Sequence, residues 1–265
     1  MRIALLQASS SPLDVDTNLG ALRAGAAEAV AAGAELILAP ELFVTGHVPL
    51  LLADWLTQDR VADIPERIAL IAAEQGIAVA TGFPDLHPEG GFTISAGLWS
   101  ASGEEVLRYA KVHLWGDEPG AFTASTVAPR VADWNGRRVA FQICYDIEFP
   151  EPARFLAAQG ADLLLVPTAI EAGSEYVPMT TVPSRAAENA LVVAYADHAF
   201  HADLPFAGLS TVAGREGRVL GRAGAGVELL VADIPDPAPV LAGEADYLRD
   251  RRPELYREWD SSTSR

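Results

Sequence analysis

Half of the 265 residues are hydrophobic and 21% are charged, a balance that excludes a disordered chain and supplies the core of one large α/β domain or two ordinary ones. Nineteen Lys and Arg against 36 Asp and Glu leave a net charge of −17, which repels phosphate backbones and anionic headgroups and so argues against nucleic-acid and membrane partners. With no run of about eighteen apolar residues and no signal-peptide h-region, the chain is expected to be soluble and cytoplasmic, and its one cysteine excludes a disulfide framework or a Cys-based zinc site.

Arg2 to Ala8 is a short apolar run suited to a buried strand, closed by Ser9, Ser10, Ser11 and Pro12. Asp16 to Ala32 then sets Leu19, Leu22, Ala26 and Val30 on one helical face, with Asp16 or Thr17 as N-cap and Gly33 as stop. A strand at Glu35 to Ala39 ends at Pro40, Ile64 to Gln75 repeats the helical pattern, and Ile77 to Thr81 is again a strand. This βαβαβ rhythm predicts helix-covered strands, with Phe43 to Leu56 left as a loop. Thr93 to Trp99 and Val106 to Leu114 flank the turn Ala101-Ser102-Gly103 as a hairpin, so the sheet is expected to be mixed.

The alternation resumes with a strand at Arg138 to Ile143, a helix at Pro150 to Gln159 and a strand at Asp162 to Val166. Ala172 to Val182 reads as a loop, Pro183 to Ala190 as a helix and Leu191 to Ala196 as a strand. Leu209 to Ala213, Arg218 to Arg222 and Val227 to Ile234 are the last predicted strands. Pro235, Pro237 and Pro239 mark the exit from the core, and Glu244 to Trp259 is a charged tail with helical character. No repeat or composition shift divides the chain, so one domain over residues 1–242 and a C-terminal tail over 243–265 are expected.

Lys111 is the one lysine in a chain whose other 18 basic residues are Arg, which suggests a position that needs a compact ammonium rather than a planar fork. Glu41 and Cys144 follow predicted strands and Lys111 lies late in another, and ligands gather at strand ends in open α/β sheets. A thiol with a pKa of about 8.5 needs a base or a positive field to attack a carbonyl. Glu41 offers the base and Lys111 the field, while Lys111 and the backbone N–H of Tyr145 can hold an oxyanion. A protonated Glu41 can then donate to a departing amine, so the trio reads as acyl transfer from an amide. Each residue alone also has an ordinary role: Cys144 as a small core hydrophobe, Glu41 as a loop cap and Lys111 as half of a surface ion pair. His47, His87, His113, His198 and His201 show no metal-binding spacing, and no phosphate-cradling glycine motif occurs, so neither a metal nor a nucleotide cofactor is expected. His113 is expected to pack.

Ala39-Pro40-Glu41, Lys111-Val112-His113-Leu114 and the run from Cys144-Tyr145-Asp146 to Pro150-Glu151 resemble, in order and spacing, the three signature blocks of the nitrilase superfamily of carbon–nitrogen hydrolases. Gly160-Ala161-Asp162, Val166-Pro167-Thr168-Ala169, Arg185-Ala186-Ala187-Glu188-Asn189 and Gly208-Leu209-Ser210 extend the resemblance across about residues 2 to 235. It implies a four-layer αββα sandwich with mixed sheets and a Glu-Lys-Cys triad at Glu41, Lys111 and Cys144. It also implies a second glutamate, Glu118, orienting Lys111 and the substrate nitrogen, and a homodimer or larger assembly with no cofactor. Cys144-Tyr145-Asp146 is similar to the amidase branches rather than to the Cys-Trp-Glu of nitrile-hydrolysing members. The implied reaction is therefore hydrolysis of a small amide to ammonia and a carboxylic acid through a Cys thioester. Alternatives are a carbamoyl amidase, a nitrilase or a non-catalytic binding protein of the same fold. Phe122-Thr123-Ala124-Ser125 and Ala196-Asp197-His198 depart from the family pattern, in segments expected to border the pocket.

Overall fold

Runs such as Ile3-Ala4-Leu5 and Leu163-Leu164-Leu165 are apolar at every position, as strands covered on both faces must be. In the computed structural model, which describes residues 1–237 and 246–262, these runs lie at the centres of two sheets. The first half of the chain supplies β1 (Arg2–Gln7), β2 (Leu36–Leu38), β3 (Ala78–Leu86), β4 (Phe92–Trp99) and β5 (Glu105–Ala110). The second half supplies β6 (Ala132–Trp134), β7 (Arg137–Phe141), β8 (Leu163–Pro167), β9 (Val192–Ala196), β10 (Thr211–Ala213), β11 (Val219–Arg222) and β12 (Glu228–Asp233). They form two six-stranded sheets ordered β12-β1-β2-β3-β4-β5 and β11-β10-β9-β8-β7-β6. Each sheet has three parallel central strands with antiparallel flanks, the mixed arrangement expected.

The helices are α1 (Val15–Ala31), α2 (Pro49–Trp55), α3 (Gln58–Val61), α4 (Ile64–Gln75), α5 (Pro150–Ala158), α6 (Val182–Asn189) and α7 (Pro253–Ser262). Strand alternation decides the layers. Leu163, Leu165, Val192 and Ala194 join the core shared with the first sheet, whereas Leu164, Val166 and Val193 pack with Leu156, Val182 and Ala186 of α5 and α6. Helices α1 and α4 cover the other face of the first sheet, completing the αββα sandwich. The last strand, β12, returns to pair with β1, where Arg2 Nε meets Asp233 Oδ1 at 2.9 Å.

Several boundaries move for local reasons. Helix α4 has the predicted limits and ends on Gly76 at φ 65°, a left-handed cap that glycine adopts without strain. Helix α1 starts one residue early, so its cap is Asp14, whose carboxylate accepts from the Thr17 N–H at 3.0 Å, rather than Asp16 or Thr17. The expected loop from Phe43 to Leu56 contains α2, opened by Pro49 at its first turn. Val177–Thr181 forms a π-helical turn leading into α6 where a loop was expected, and the three-residue strand β6 was too short and too exposed to show an apolar period. Strand β5 ends at Ala110, so Lys111 lies just beyond it rather than within it. The predicted domain boundary at 242/243 and the exit at Pro239 fall outside the described residues; within the predicted tail, α7 is helical.

Strand β3 passes directly beneath the turn that follows β2. A Cβ on Gly82 would lie 2.6 Å from Glu41 Cα and 2.7 Å from Leu42 N, and Leu42 itself is left-handed at φ 49°. Gly82→Ala should therefore lower stability by about 1–3 kcal/mol through overpacking. Urea denaturation measures this, and an unchanged midpoint would contradict the close approach.

Candidate active site

Three chain excursions from strand ends meet between the sheets. Glu41 leaves β2 through Pro40, and its backbone is fixed from both directions: its N–H donates to Thr168 O (3.2 Å) at the end of β8, and its carbonyl accepts from His198 Nε2 (2.7 Å). His198 is buried and pushed down to about 3 by loss of solvation, so its ring is neutral. With the proton on Nε2, Nδ1 faces the Ser10 hydroxyl at 3.4 Å. Lys111 is held at its backbone by its N–H to Ile94 O (2.8 Å) and by the Ser125 N–H to its own carbonyl (2.9 Å). The two segments that depart from the family pattern thus bear on the backbones of Lys111 and Glu41.

The side chains form a closed cluster. Lys111 Nζ donates to Glu41 Oε1 at 2.8 Å and to Glu118 Oε1 and Oε2 at 2.7 and 2.8 Å, and all three residues are buried. Glu118, in a short 3-10 turn, also accepts from the Trp115 N–H (2.8 Å) and from His47 Nε2 (3.0 Å). Cys144 follows β7 at φ 46°, a left-handed conformation that costs a non-glycine residue energy and turns the chain sharply into the 3-10 turn Cys144–Glu148. Its side chain is buried among the same charges. The Tyr145 N–H lies in the first turn of that element.

Burial acts against Lys111, but Glu41, Cys144 and Glu118 together hold its ammonium above the ordinary lysine range. Burial raises Glu41, opposed by Lys111. Burial also pushes Glu118 up, yet the His47 hydrogen bond and Lys111 bring it below the usual carboxylate range. Cys144 is raised well above a free thiol by burial and by Glu41, so Lys111 only partly offsets the cost of a thiolate. The resting arrangement is a thiol beside a buried carboxyl group that competes for the same proton.

The structure brings Glu41, Lys111, Glu118 and Cys144 together, and adds residues that the sequence reading missed. His47 offers no local motif, since its partner Glu118 lies 71 positions away. Glu41, His47 and Glu118 place potential metal-ligand atoms within 4.8 Å of one another, with the Lys111 ammonium bonded to both carboxylates. Asp146 is the second omission. Its Oδ1 accepts from the His113 N–H (3.0 Å) and lies 2.8 Å from His113 Nδ1, while Oδ2 accepts from Tyr109 OH (2.7 Å) and the Ile143 N–H (3.1 Å). Tyr109 and His113 flank Lys111, and Ile143 precedes Cys144, so one carboxylate locks the two segments together. His113 stacks on Phe149 (centroids 4.1 Å apart), as packing would require, but its polar bonds to Asp146 give it a second role. The local signal was the aspartate three residues after Ile143, a spacing that lets a side chain return to the backbone N–H of the cap.

Asp146→Ala should destabilise the fold by at least about 2 kcal/mol, because it leaves two buried donors without partners at about 1–3 kcal/mol each. Thermal or urea unfolding measures it; a loss below about 0.5 kcal/mol, the scale of a neutral surface change, would contradict the clamp.

Residues 2–238 match the family model described as carbon–nitrogen hydrolase. The protein named "Hydrolase in pqqF 5′ region" from Pseudomonas protegens is 37% identical over 97% of this chain and 90% of its own. An (R)-stereoselective amidase from a Pseudomonas species is 32% identical over 97% of this chain and 94% of its own. Among solved structures, the NitN amidase of Nesterenkonia sp. AN1 superimposes with a TM-score of 0.91 at 42% identity, covering 98% of this chain and 99% of that one. A mutant of the Nesterenkonia amidase, 41% identical with a TM-score of 0.91 over 98% of this chain and 97% of its own, carries the acetamide moiety of fluoroacetamide covalently added at its active-site cysteine. With the match running through nearly the whole sequence and the whole fold, the chain belongs to the carbon–nitrogen hydrolase family.

Proposed function

We propose that the protein is an amidase that hydrolyses a small amide to ammonia and a carboxylic acid, with Cys144 as nucleophile. The observation that carries this reading is the buried cluster in which Lys111 bridges Glu41 and Glu118 beside a strained, buried thiol. The amidases among its relatives, and the covalent adduct at the cysteine of one of them, support the same chemistry.

In the proposed reaction Glu41 takes the Cys144 proton as sulfur attacks the amide carbon, so a thiolate need not exist in the resting enzyme. The negative charge that develops on the carbonyl oxygen is held by Lys111 Nζ and the Tyr145 N–H. Glu118 orients Lys111 and the substrate nitrogen. Glu41 returns the proton to that nitrogen, the C–N bond breaks, ammonia leaves and a Cys144 thioester remains. Glu41 then accepts a proton from water as its oxygen attacks the thioester carbon, and collapse gives the carboxylic acid and restores the thiol. Atoms balance with water as the sole co-reactant, and no cofactor enters. We further propose that residues 1–242 are the hydrolase domain and that the chain works in the cytoplasm as a homodimer or larger assembly, with residues 243–265 a contact between subunits. The acidic net charge and the absence of any helix long and apolar enough to span a membrane among the described residues are consistent with that setting.

Ammonia release from a panel of aliphatic, aromatic, amino-acid and carbamoyl amides tests the assignment. Cys144→Ala should abolish release while leaving the far-ultraviolet circular dichroism unchanged. Lys111→Arg keeps the charge but replaces a compact ammonium with a planar fork, and should lower turnover by at least about a hundredfold. Turnover within about threefold of wild type in either variant would contradict the corresponding role.

A further inference from the structure

The two buried carboxylates that share Lys111 are unequally furnished. Glu118 accepts from Lys111 on both oxygens, from the Trp115 N–H on Oε2 and from His47 Nε2 on Oε1. Glu41 accepts from Lys111 on Oε1, but its Oε2 is buried with no hydrogen-bond partner, 3.8 Å from His47 Nε2. An ionised carboxylate can only accept, so the His47 nitrogen facing Glu118 carries the proton of that bond. The imidazole is only 14% exposed and sits edge-on to Phe206, with ring centroids 6.2 Å apart. It is thus a packed, directed donor rather than a surface side chain.

We infer that His47 is a positioning residue: by donating to Glu118 it keeps that carboxylate ionised and leaves Glu41 as the member of the pair that takes and returns the proton of the reaction. The inference rests on the reading of Glu41 as the base. The electrostatics run in the same direction, because Glu118 stays below the ordinary carboxylate range despite its burial, whereas burial raises Glu41. Lys111 and Cys144 also face the pair, and His198, on the far side of the Glu41 backbone, is neutral and adds no charge. What distinguishes the two carboxylates is therefore the second Lys111 bond on Glu118 and its two extra donors, His47 and the Trp115 N–H, of which His47 is the one a substitution can remove while Lys111 stays in place.

The test is the pH dependence of kcat/KM for ammonia release in wild type, His47→Leu, His47→Asn and His47→Gln. Leucine removes the donor, and the asparagine amide is too short to reach Glu118. The glutamine amide nitrogen can occupy the place of Nε2. Without the donor Glu118 competes for the proton, so the acidic limb should move to higher pH in the leucine and asparagine variants. The glutamine variant should keep the wild-type limb. Activity that falls evenly at all pH values, with the limb unmoved in the leucine and asparagine variants, would overturn the inference. So would a glutamine variant that shifts as far as leucine. If the leucine variant does not fold, the asparagine and glutamine pair decides the matter alone. Cys144→Ala assayed alongside separates the two levels: turnover in that variant refutes the reading of the site itself. An inactive Cys144→Ala with an unmoved limb in the His47 variants refutes only the role of His47.

Discussion

One ammonium held between two buried carboxylates is the interaction on which the rest of this molecule depends. Taking three charged groups out of water carries a desolvation cost of several kcal/mol per ion, and only mutual attraction with good hydrogen-bond geometry offsets it. Lys111 meets that requirement with bonds of 2.7–2.8 Å to Glu41 and Glu118. A cluster of this kind cannot be assembled on mobile loops. Each member is therefore fixed through its backbone as well: Glu41 by Thr168 and His198, Lys111 by Ile94 and Ser125, and Glu118 by its own N–H to Trp115 O.

The sandwich explains how residues far apart in the chain reach one point. Glu41 and Lys111 leave the first sheet and Cys144 leaves the second, so the site forms where the two sheets face each other. Asp146 joins the Lys111 segment to the Cys144 turn, and the Glu41 N–H joins β2 to the end of β8. The left-handed conformation of Cys144, like that of Leu42 beside Glu41, is a strained element in this frame, and Asp146, which accepts from Ile143 just before Cys144, holds the turn. Packing thus supplies what the chemistry requires: a thiol that stays in one orientation and a proton that moves between fixed groups.

Much of this was legible in the sequence, and what was not has physical causes. The strands at Ile3 and Leu163 and the helix Ile64–Gln75 announce themselves because each is set by its own apolar pattern and its own stop residue. Glu41, Lys111 and Cys144 were visible as chemical types in ordered blocks, Lys111 stood out as the one lysine, and Glu118 followed only from the family resemblance. Helix α2 was hidden because seven residues carry too little periodicity, and β6 because it has three. His47 and Asp146 were hidden for another reason. Their bonds to the Lys111 side of the site are made across 71 and 33 positions, and although the Asp146 spacing from Ile143 is local, no local spacing encodes a partner that arrives from another strand end.

In the proposed reaction Cys144 rests as a thiol and gives up its proton to Glu41 only as the substrate is attacked. The ultraviolet absorbance of the thiolate, followed against pH in the substrate-free enzyme with Cys144→Ala as the blank, measures this directly. No thiolate is expected at neutral pH, and it should appear only above the ordinary thiol range, because burial and Glu41 outweigh Lys111. A thiolate already formed at neutral pH would contradict it, and would mean that Lys111 alone activates the sulfur.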